Sequence, residues 1–285
     1  MARSARDQLG WSEQRLAAVQ EAINNTLART AKCRGVVPKG PKKTGERGVI
    51  VSTIAPGRPL AFAVDTMATP VNIRSDLQID DLHMEDDSEV ISIVKAAAAV
   101  LGTIEDVEIV AGTDPAAPFG PDRVPRNALA RARLNLPGIG GNTRIAAVGP
   151  GGRPTGLELV MAIESGLNAL DAAGRPGDYG LLLHQRLVRI LATPSAPGVP
   201  PLLEQLLPLL GSGKIAGTNA LNGAFAVPLV AGILFRLEPP AVDVVHTMPP
   251  TLSVMQRTPG QTALRIEEDI VVRILDQAAV HHITY

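Results

Sequence analysis

Residues 169–183 read ALDAAGRPGDYGLLL, and the reading of this stretch decides the fold. Its first residues complete a helical run, 157–171 (LELVMAIESGLNALD). There Leu157, Val160, Met161, Ile163 and Leu167 recur at steps of three and four, which predicts the apolar face of a helix. Gly174 to Gly177 carry two glycines and a proline and end it. Tyr179 to Leu183 then form a short continuous apolar run, the pattern of a strand buried on both faces.

Outward from there the same alternation of element types continues. Downstream, His184 to Leu191 predicts a short helix, Thr193 to Pro201 (TPSAPGVPP) a stiff proline-rich loop, and Leu202 to Leu210 another helix. Three strands are expected to close the chain, at Ala224–Ala231, Leu234–Val245 and Thr262–Ile283. Upstream, residues 112–156 are loop-rich. Before them a long helix is marked by Val90, Ile91, Val94, Ala97, Ala98 and Leu101. The acidic run DDLHMEDD at 80–87 precedes it and suits the positive end of its macrodipole. A calcium loop would need a central glycine that this run lacks. Val49–Ile54 and Leu60–Ile79, broken near Pro70 and turned by residues 55–59, predict a long β-hairpin. Residues 36–48 (VVPKGPKKTGERG) predict an extended arm. Residues 12–32 predict an amphipathic helix capped by Ser12, with Leu16, Val19, Ile23 and Leu27 in one stripe. Such a stripe either enters a core or presents a groove to another peptide. The fold class is α+β.

Composition narrows the function. The chain has 285 residues, enough for one large domain or two modest ones. It balances 27 Lys and Arg against 28 Asp and Glu, for a net charge of −1. Phosphate binding needs a basic excess on one face. The only basic cluster, Lys39, Lys42, Lys43 and Arg47, is interrupted by prolines and glycines, so nucleic acid is not expected as a partner. Charged residues are 19%, low against an average near ~25%, in keeping with a surface that meets other subunits. Aromatics are 2%, so Ala, Val, Leu and Ile must fill the core. Cys33 is the single cysteine and lacks a CxxC partner. The first residues, MARSARDQLGWSEQ, contain no apolar signal core, and no run of 18 apolar residues exists. A cytoplasmic protein without a membrane partner is expected.

Motifs that resemble chemistry fail on named residues. Gly211-Ser212-Gly213-Lys214 looks like a phosphate loop, but Ile215 stands where a magnesium-holding hydroxyl is needed; Gly211 reads as a helix C-cap. Gly138-Ile139-Gly140-Gly141 follows Leu136-Pro137 instead of a strand and lacks the third glycine of a dinucleotide fingerprint. The five histidines form no HxH or HxxxH pair, and His281 and His282 point to opposite faces of a strand. There is no GxSxG. No catalytic, metal-binding or cofactor-binding residue is assigned.

The order of these features resembles the encapsulin shell proteins, the linocin-like or bacteriocin family. Ala169 to Leu183 resembles that family's helix, glycine, Gly-x-Tyr and apolar strand. Gly211 to Gly217 (GSGKIAG) resembles its Gly-Gly-Lys-Ile turn, and Leu264 to Ile283 its closing strand. Arg34-Gly35-Val36-Val37 resembles its basic-then-apolar arm, and Asp81 to Gly112 its spine helix and exit. The resemblance implies the Hong Kong 97-like phage capsid fold. Residues 1–48 would be the N-terminal helix and arm, 49–79 the extended hairpin loop, and 80–156 the peripheral domain with the spine helix. Residues 157–223 would be the axial domain, and 224–285 the strands returning to the peripheral domain and loop base. It further implies a homo-oligomeric icosahedral shell around a cargo enzyme, such as a peroxidase, a ferritin-like protein or another redox enzyme. That cargo would be held through a C-terminal targeting peptide beside the N-terminal helix. Trp11, Leu16, Val19, Ile23 and Leu27 are then the cargo-contact candidates. Ser195, Ala196, Pro197, Gly198, Val199 and Pro200 would line a five-fold pore, with selection by carbonyls and width because none is charged. The aromatic pair that holds flavin in some members is absent from DDLHMEDD, so no cofactor is carried over. The alternative is a phage or prophage major capsid protein that packages DNA; the near-neutral charge weighs against it.

Overall fold

The computed structural model describes residues 9–41, 49–54, 63–68, 70–110, 141–145, 154–194, 196–221 and 230–284. Helices are α1 (Glu13–Thr30), α2 (Asp87–Val110), α3 (Gly156–Ala172), α4 (Gln185–Ala192) and α5 (Leu202–Leu206). Strands are β1 (Val49–Ile54), β2 (Ala63–Ala68), β3 (Val71–Asp80), β4 (Gly141–Arg144), β5 (Tyr179–His184) and β6 (Ile215–Thr218). The last four are β7 (Val230–Arg236), β8 (Val242–Thr258), β9 (Gln261–Ile274) and β10 (Val280–Thr284).

The helix starts follow local chemistry. Ser12 caps α1 by accepting from the Arg15 amide at 3.2 Å. The Asp86 carboxylate accepts from the Ser88 amide and hydroxyl, both at 2.7 Å, at the start of α2. Thr155 and Glu158 form a reciprocal capping box on α3. Val90, Val94, Ala97, Ala98 and Leu101 of α2 are buried as the spacing predicts, with Ile91 half-buried. Beyond Thr103 every residue of α2 from Ile104 to Val110 is buried, so that end of the helix is enclosed on all sides. α1 ends against it at Gly102. A Cβ there would fall 2.5 Å from the Thr30 hydroxyl and 2.9 Å from the Ala31 amide nitrogen, so the close approach requires glycine.

Two sheets divide the strands. β3, β9 and β8 form an antiparallel sheet in the order β3-β9-β8. β4, β10, β7, β5 and β6 form a mixed sheet in that order, with β4–β10 and β5–β6 parallel. β1 and β2 pair antiparallel as a separate ribbon, Val49 opposite Ala68 and Ile54 opposite Ala63. The turn expected at 55–59 lies outside the described residues.

The five-stranded sheet is a wall between two cores. Leu182, Ile233, Phe235 and Val280 face the larger core, with α1, α2 and the three-stranded sheet. Leu181, Leu183, Leu234 and Ile283 face the other, with α3, α4 and α5. Burial on both faces is why β5 reads as an unbroken apolar run. Each leucine so buried contributes roughly 1.5–3 kcal/mol of apolar transfer.

Three expectations are corrected. Leu157 and Met161 do not lie on the buried face of α3 but are more than half exposed, while Leu159, Ala162 and Leu170 are buried beside Ile163 and Leu167. At 100° per residue Leu157 and Met161 fall on the side opposite the stripe of Leu159, Ala162, Ile163, Gly166 and Leu170, which packs inward. The strand expected at Leu234–Val245 is two strands, divided by a turn at 237–240 with a cis Glu238–Pro239 bond. The second of them, β8, runs on to Thr258. Pro249 and Pro250 are tolerated because β8 is an edge strand and slips register around Met248. The strand expected at Thr262–Ile283 ends at Ile274, where the Asp276 carboxylate accepts from the Ala278 amide at 3.1 Å and starts a turn.

Candidate functional site

The α1 stripe is spent inside the molecule. Val19, Ile23 and Leu27 are at most 1% exposed and belong to the larger core, against which Leu16 is half-buried. Trp11 is also buried, and the Arg15 guanidinium stacks on its ring 4.6 Å from the centroid. Arg15 in turn donates to the Met84 carbonyl at 2.7 Å and pairs with Asp87 at 2.7 Å, tying the start of α1 to the start of α2. The structure thus gathers the five candidate cargo residues on the core side of α1. The surface beside them is a groove of about 350 Å³, lined by Ala18, Glu21, Ala22, Asn25, Thr26 and Arg29 of α1 with Ile91 and Lys95 of α2. The sequence expectations rested on the apolar stripe and did not name this face. Its signal was the complementary set at 18, 21, 22, 25 and 29, also at helical spacing.

Ala196, Pro197, Gly198, Val199 and Pro200 form an exposed turn, closed by the Val199 amide donating to the Ala196 carbonyl at 3.1 Å. Gly198 has φ +81°, a left-handed conformation that glycine adopts without strain. Ser195 lies outside the described residues. Five of the seven large exposed apolar residues among the described ones are Leu157, Met161, Val199, Leu207 and Leu209, all from α3 to the turn after α5.

Among the described residues a polar cluster is buried at the junction of the arm, α2 and both sheets. After α1 the chain makes a tight turn at Cys33–Gly35, and residues 38–40 then lie along β8. There the Val244 amide donates to the Pro38 carbonyl at 3.0 Å and the Gly40 amide to the Val244 carbonyl at 2.9 Å. Arg34 reaches inward from that turn. Its Nε donates to Glu105 at 2.5 Å, and its Nη2 donates to both oxygens of Glu268 at 2.7 and 2.6 Å. Both carboxylates have fully buried side chains. His246 of β8 stands 3.5 Å from Glu268. Beside them the Asp106 carboxylate accepts from the Lys32 amide at 3.2 Å, the Cys33 amide at 2.9 Å and the Thr218 hydroxyl of β6 at 2.9 Å. Burial, and then the neighbouring Glu268, push the pKa of Glu105 up to about 8 against the pull of Arg34. Burial likewise raises Asp106 and holds the Cys33 thiol well above its ordinary value, which leaves it unreactive. The sequence offered one signal for this cluster: three acidic residues, Glu105, Asp106 and Glu108, interleaved with Ile104, Val107, Ile109 and Val110 at the end of a long apolar helix.

The remaining candidates resolve structurally. Gly211 (φ +69°) ends the turn after α5, and the Ser212 hydroxyl donates to Asp178. A Cβ on Gly213 would fall 1.8 Å from the Tyr179 carbonyl oxygen, so this is a close crossing of backbones. Gly138 to Gly140 lie outside the described residues. His281 faces α3, hydrogen-bonded through Nε2 with the Thr143 hydroxyl at 2.8 Å, and burial lowers its pKa to about 4. Among the described residues no cluster of His, Cys, Asp or Glu could hold a metal ion, and no helix is long and apolar enough to cross a membrane.

No family model matches the chain, and no curated protein matches it in sequence. Solved structures do. A virus-like particle from Pyrococcus furiosus superposes with a TM-score of 0.69 at 16% identity, covering 95% of this chain and 100% of that one. The capsid of Myoviridae phage XM1 gives 0.58 at 11% identity, covering 90% and 91%. The capsid of an empty GTA particle gives 0.52 at 11% identity, covering 90% of each. The fold is α+β and Hong Kong 97-like, the fold of phage capsid proteins.

Proposed function

We propose that the chain is a capsid-type shell subunit, and specifically the shell protein of an encapsulin nanocompartment. It assembles into an icosahedral cage in the cytoplasm and encloses a cargo enzyme bound through a targeting peptide. It performs no chemistry itself. The observation that carries this reading is end-to-end likeness to a virus-like-particle subunit, with 95% of one chain laid on 100% of the other. The physics agrees. A two-stranded ribbon such as β1–β2 is marginal alone and gains stability by lying on a neighbour. The exposed apolar residues between α3 and α5 supply a second contact surface. Closed symmetric assembly buries both repeatedly.

A DNA-packaging phage capsid subunit is the second reading, favoured by the likeness to phage XM1. The net charge of −1 favours the first. Electron microscopy of the purified protein tests both. Closed hollow particles that co-purify with a second protein are expected. Particles carrying nuclease-protected DNA would select the phage reading, and elution as a 29.8 kDa monomer would overturn both.

A further inference from the structure

Two fully buried carboxylates share one guanidinium in the cluster around Arg34. With both ionised the trio carries one uncompensated negative charge, which a low-dielectric interior resists. One proton removes the imbalance. The geometry indicates which acid takes it. Glu268 has both oxygens engaged by Arg34, with His246 behind it. Glu105 has one oxygen on Arg34, and its Oε1 is buried without a partner. An ionised oxygen without a donor is the costlier arrangement, so Glu105 is the protonated member. Among the described residues the ionisable groups facing it are Arg34 and Cys33 from the turn, Glu268 from β9 with His246 of β8 beyond, and Asp106 on its own helix.

Arg34 lies on the same tight turn that starts the arm. Among the described residues the other backbone bonds of this segment are the Cys33 and Lys32 amides to Asp106, the Gly35, Val36 and Val37 amides to carbonyls within the turn, and the pairing of Pro38 and Gly40 with Val244, while Cys33, Val36 and Val37 pack in the larger core. We propose that the Arg34–Glu105–Glu268 cluster is a proton-operated clasp, which holds residues 32–40 against α2 and β8 while Glu105 carries a proton and loosens them as pH rises. The mechanism is linkage. Lifting the turn withdraws Arg34 and admits water, returning Glu105 toward the ordinary carboxylate range. A group whose pKa is raised in the closed state stabilises that state fully below the open-state pKa. The advantage is lost as pH rises to the closed-state value near 8. This inference concerns the single chain and stands whether the shell holds an enzyme or DNA.

The test is backbone amide exchange of the full-length protein, with rates corrected for intrinsic chemistry. Protection at Cys33, Val36 and Val37 is expected to fall up to about tenfold per pH unit between about pH 6 and about pH 8, and to level off above. Protection at Leu181 to Leu183 in β5 is expected to change far less. Glu105→Gln, which mimics the neutral acid, should leave arm protection flat across the range. Glu268→Gln removes the neighbouring anion and should move the levelling point to lower pH. A flat wild-type profile, an unchanged slope in Glu105→Gln, or an unmoved levelling point in Glu268→Gln would overturn the proposal. A fall of equal slope in β5 would overturn it too, because the proton would then govern global unfolding and not the arm.

Discussion

Replacing Asp106 with alanine tests how firmly the arm, α2 and the five-stranded sheet are joined. The carboxylate accepts from three donors on two other segments: the Lys32 and Cys33 amides and the Thr218 hydroxyl. The Cys33 and Thr218 bonds are buried, so alanine strands those two donors without water; the Lys32 amide is partly exposed and can rehydrate. Hydrogen bonds to a charged group are worth about 1.5 to 3 kcal/mol each, so two lost bonds amount to about 3 to 6 kcal/mol. Burial opposes the charged carboxylate, as its raised pKa shows, and removing the charge returns part of that cost. A net loss of about 3 kcal/mol is expected, a large share of the ~5–15 kcal/mol that holds a typical domain folded. Asp106→Asn keeps one acceptor and should lose an intermediate amount. Thr218→Val removes the bond to Asp106 and also the one its hydroxyl accepts from the Ala220 amide at 3.1 Å, and should lose about 2 kcal/mol, less than Asp106→Ala. The assay is urea unfolding followed by fluorescence of Trp11, the only tryptophan, beside far-UV circular dichroism. The junction is refuted if Asp106→Ala falls within about 0.5 kcal/mol of wild type, the range of surface substitutions, or if the order of the three variants inverts.

Gly213→Ala should fail to give soluble protein, because its Cβ would sit 1.8 Å from the Tyr179 carbonyl and 2.7 Å from that of Leu210, both rigid backbone atoms; soluble expression at the wild-type level would contradict the crossing. Leu182→Ala and Leu183→Ala should each cost about 2 to 5 kcal/mol in urea unfolding. Their local effects should differ, the first lowering amide protection in α2 and the second in α3 and α4; identical exchange patterns would contradict the two-sided wall.

Much of the fold was legible because its elements carry uncontested local signals. The α2 stripe and the β5 run are set by spacing alone, and the structure follows both. The misread elements are those where tertiary context outweighs propensity. Pro249 and Pro250 look like a stop in isolation, and only the edge position of β8 makes them tolerable. Leu157 and Met161 fit an apolar face by spacing, but a second stripe through Leu159, Ala162, Ile163 and Leu170 competes with it and is the one that packs, which leaves the two exposed. The candidate site was less legible. Leu16, Val19, Ile23 and Leu27 mark α1 correctly as amphipathic, with Trp11 just before it, but period alone does not tell a core stripe from a docking stripe. The Arg34 cluster joins residues 71 and 234 positions apart, and no local pattern reports a pairing of that range.

The shared wall has a consequence for dissection of the chain. β5 and β6 come from the middle of the sequence, while β7 and β10, which complete the same sheet, come from its end. A fragment covering 154–221 would therefore carry α3, α4 and α5 yet lack the strands that close their core. Chimeras that exchange this segment between relatives must move β7 and β10 with it, and insertions belong in the exposed turn at 196–200 and not at the element boundaries. The two cores are inseparable as parts, so change that spares the fold falls to the ribbon, the arm and the exposed turns.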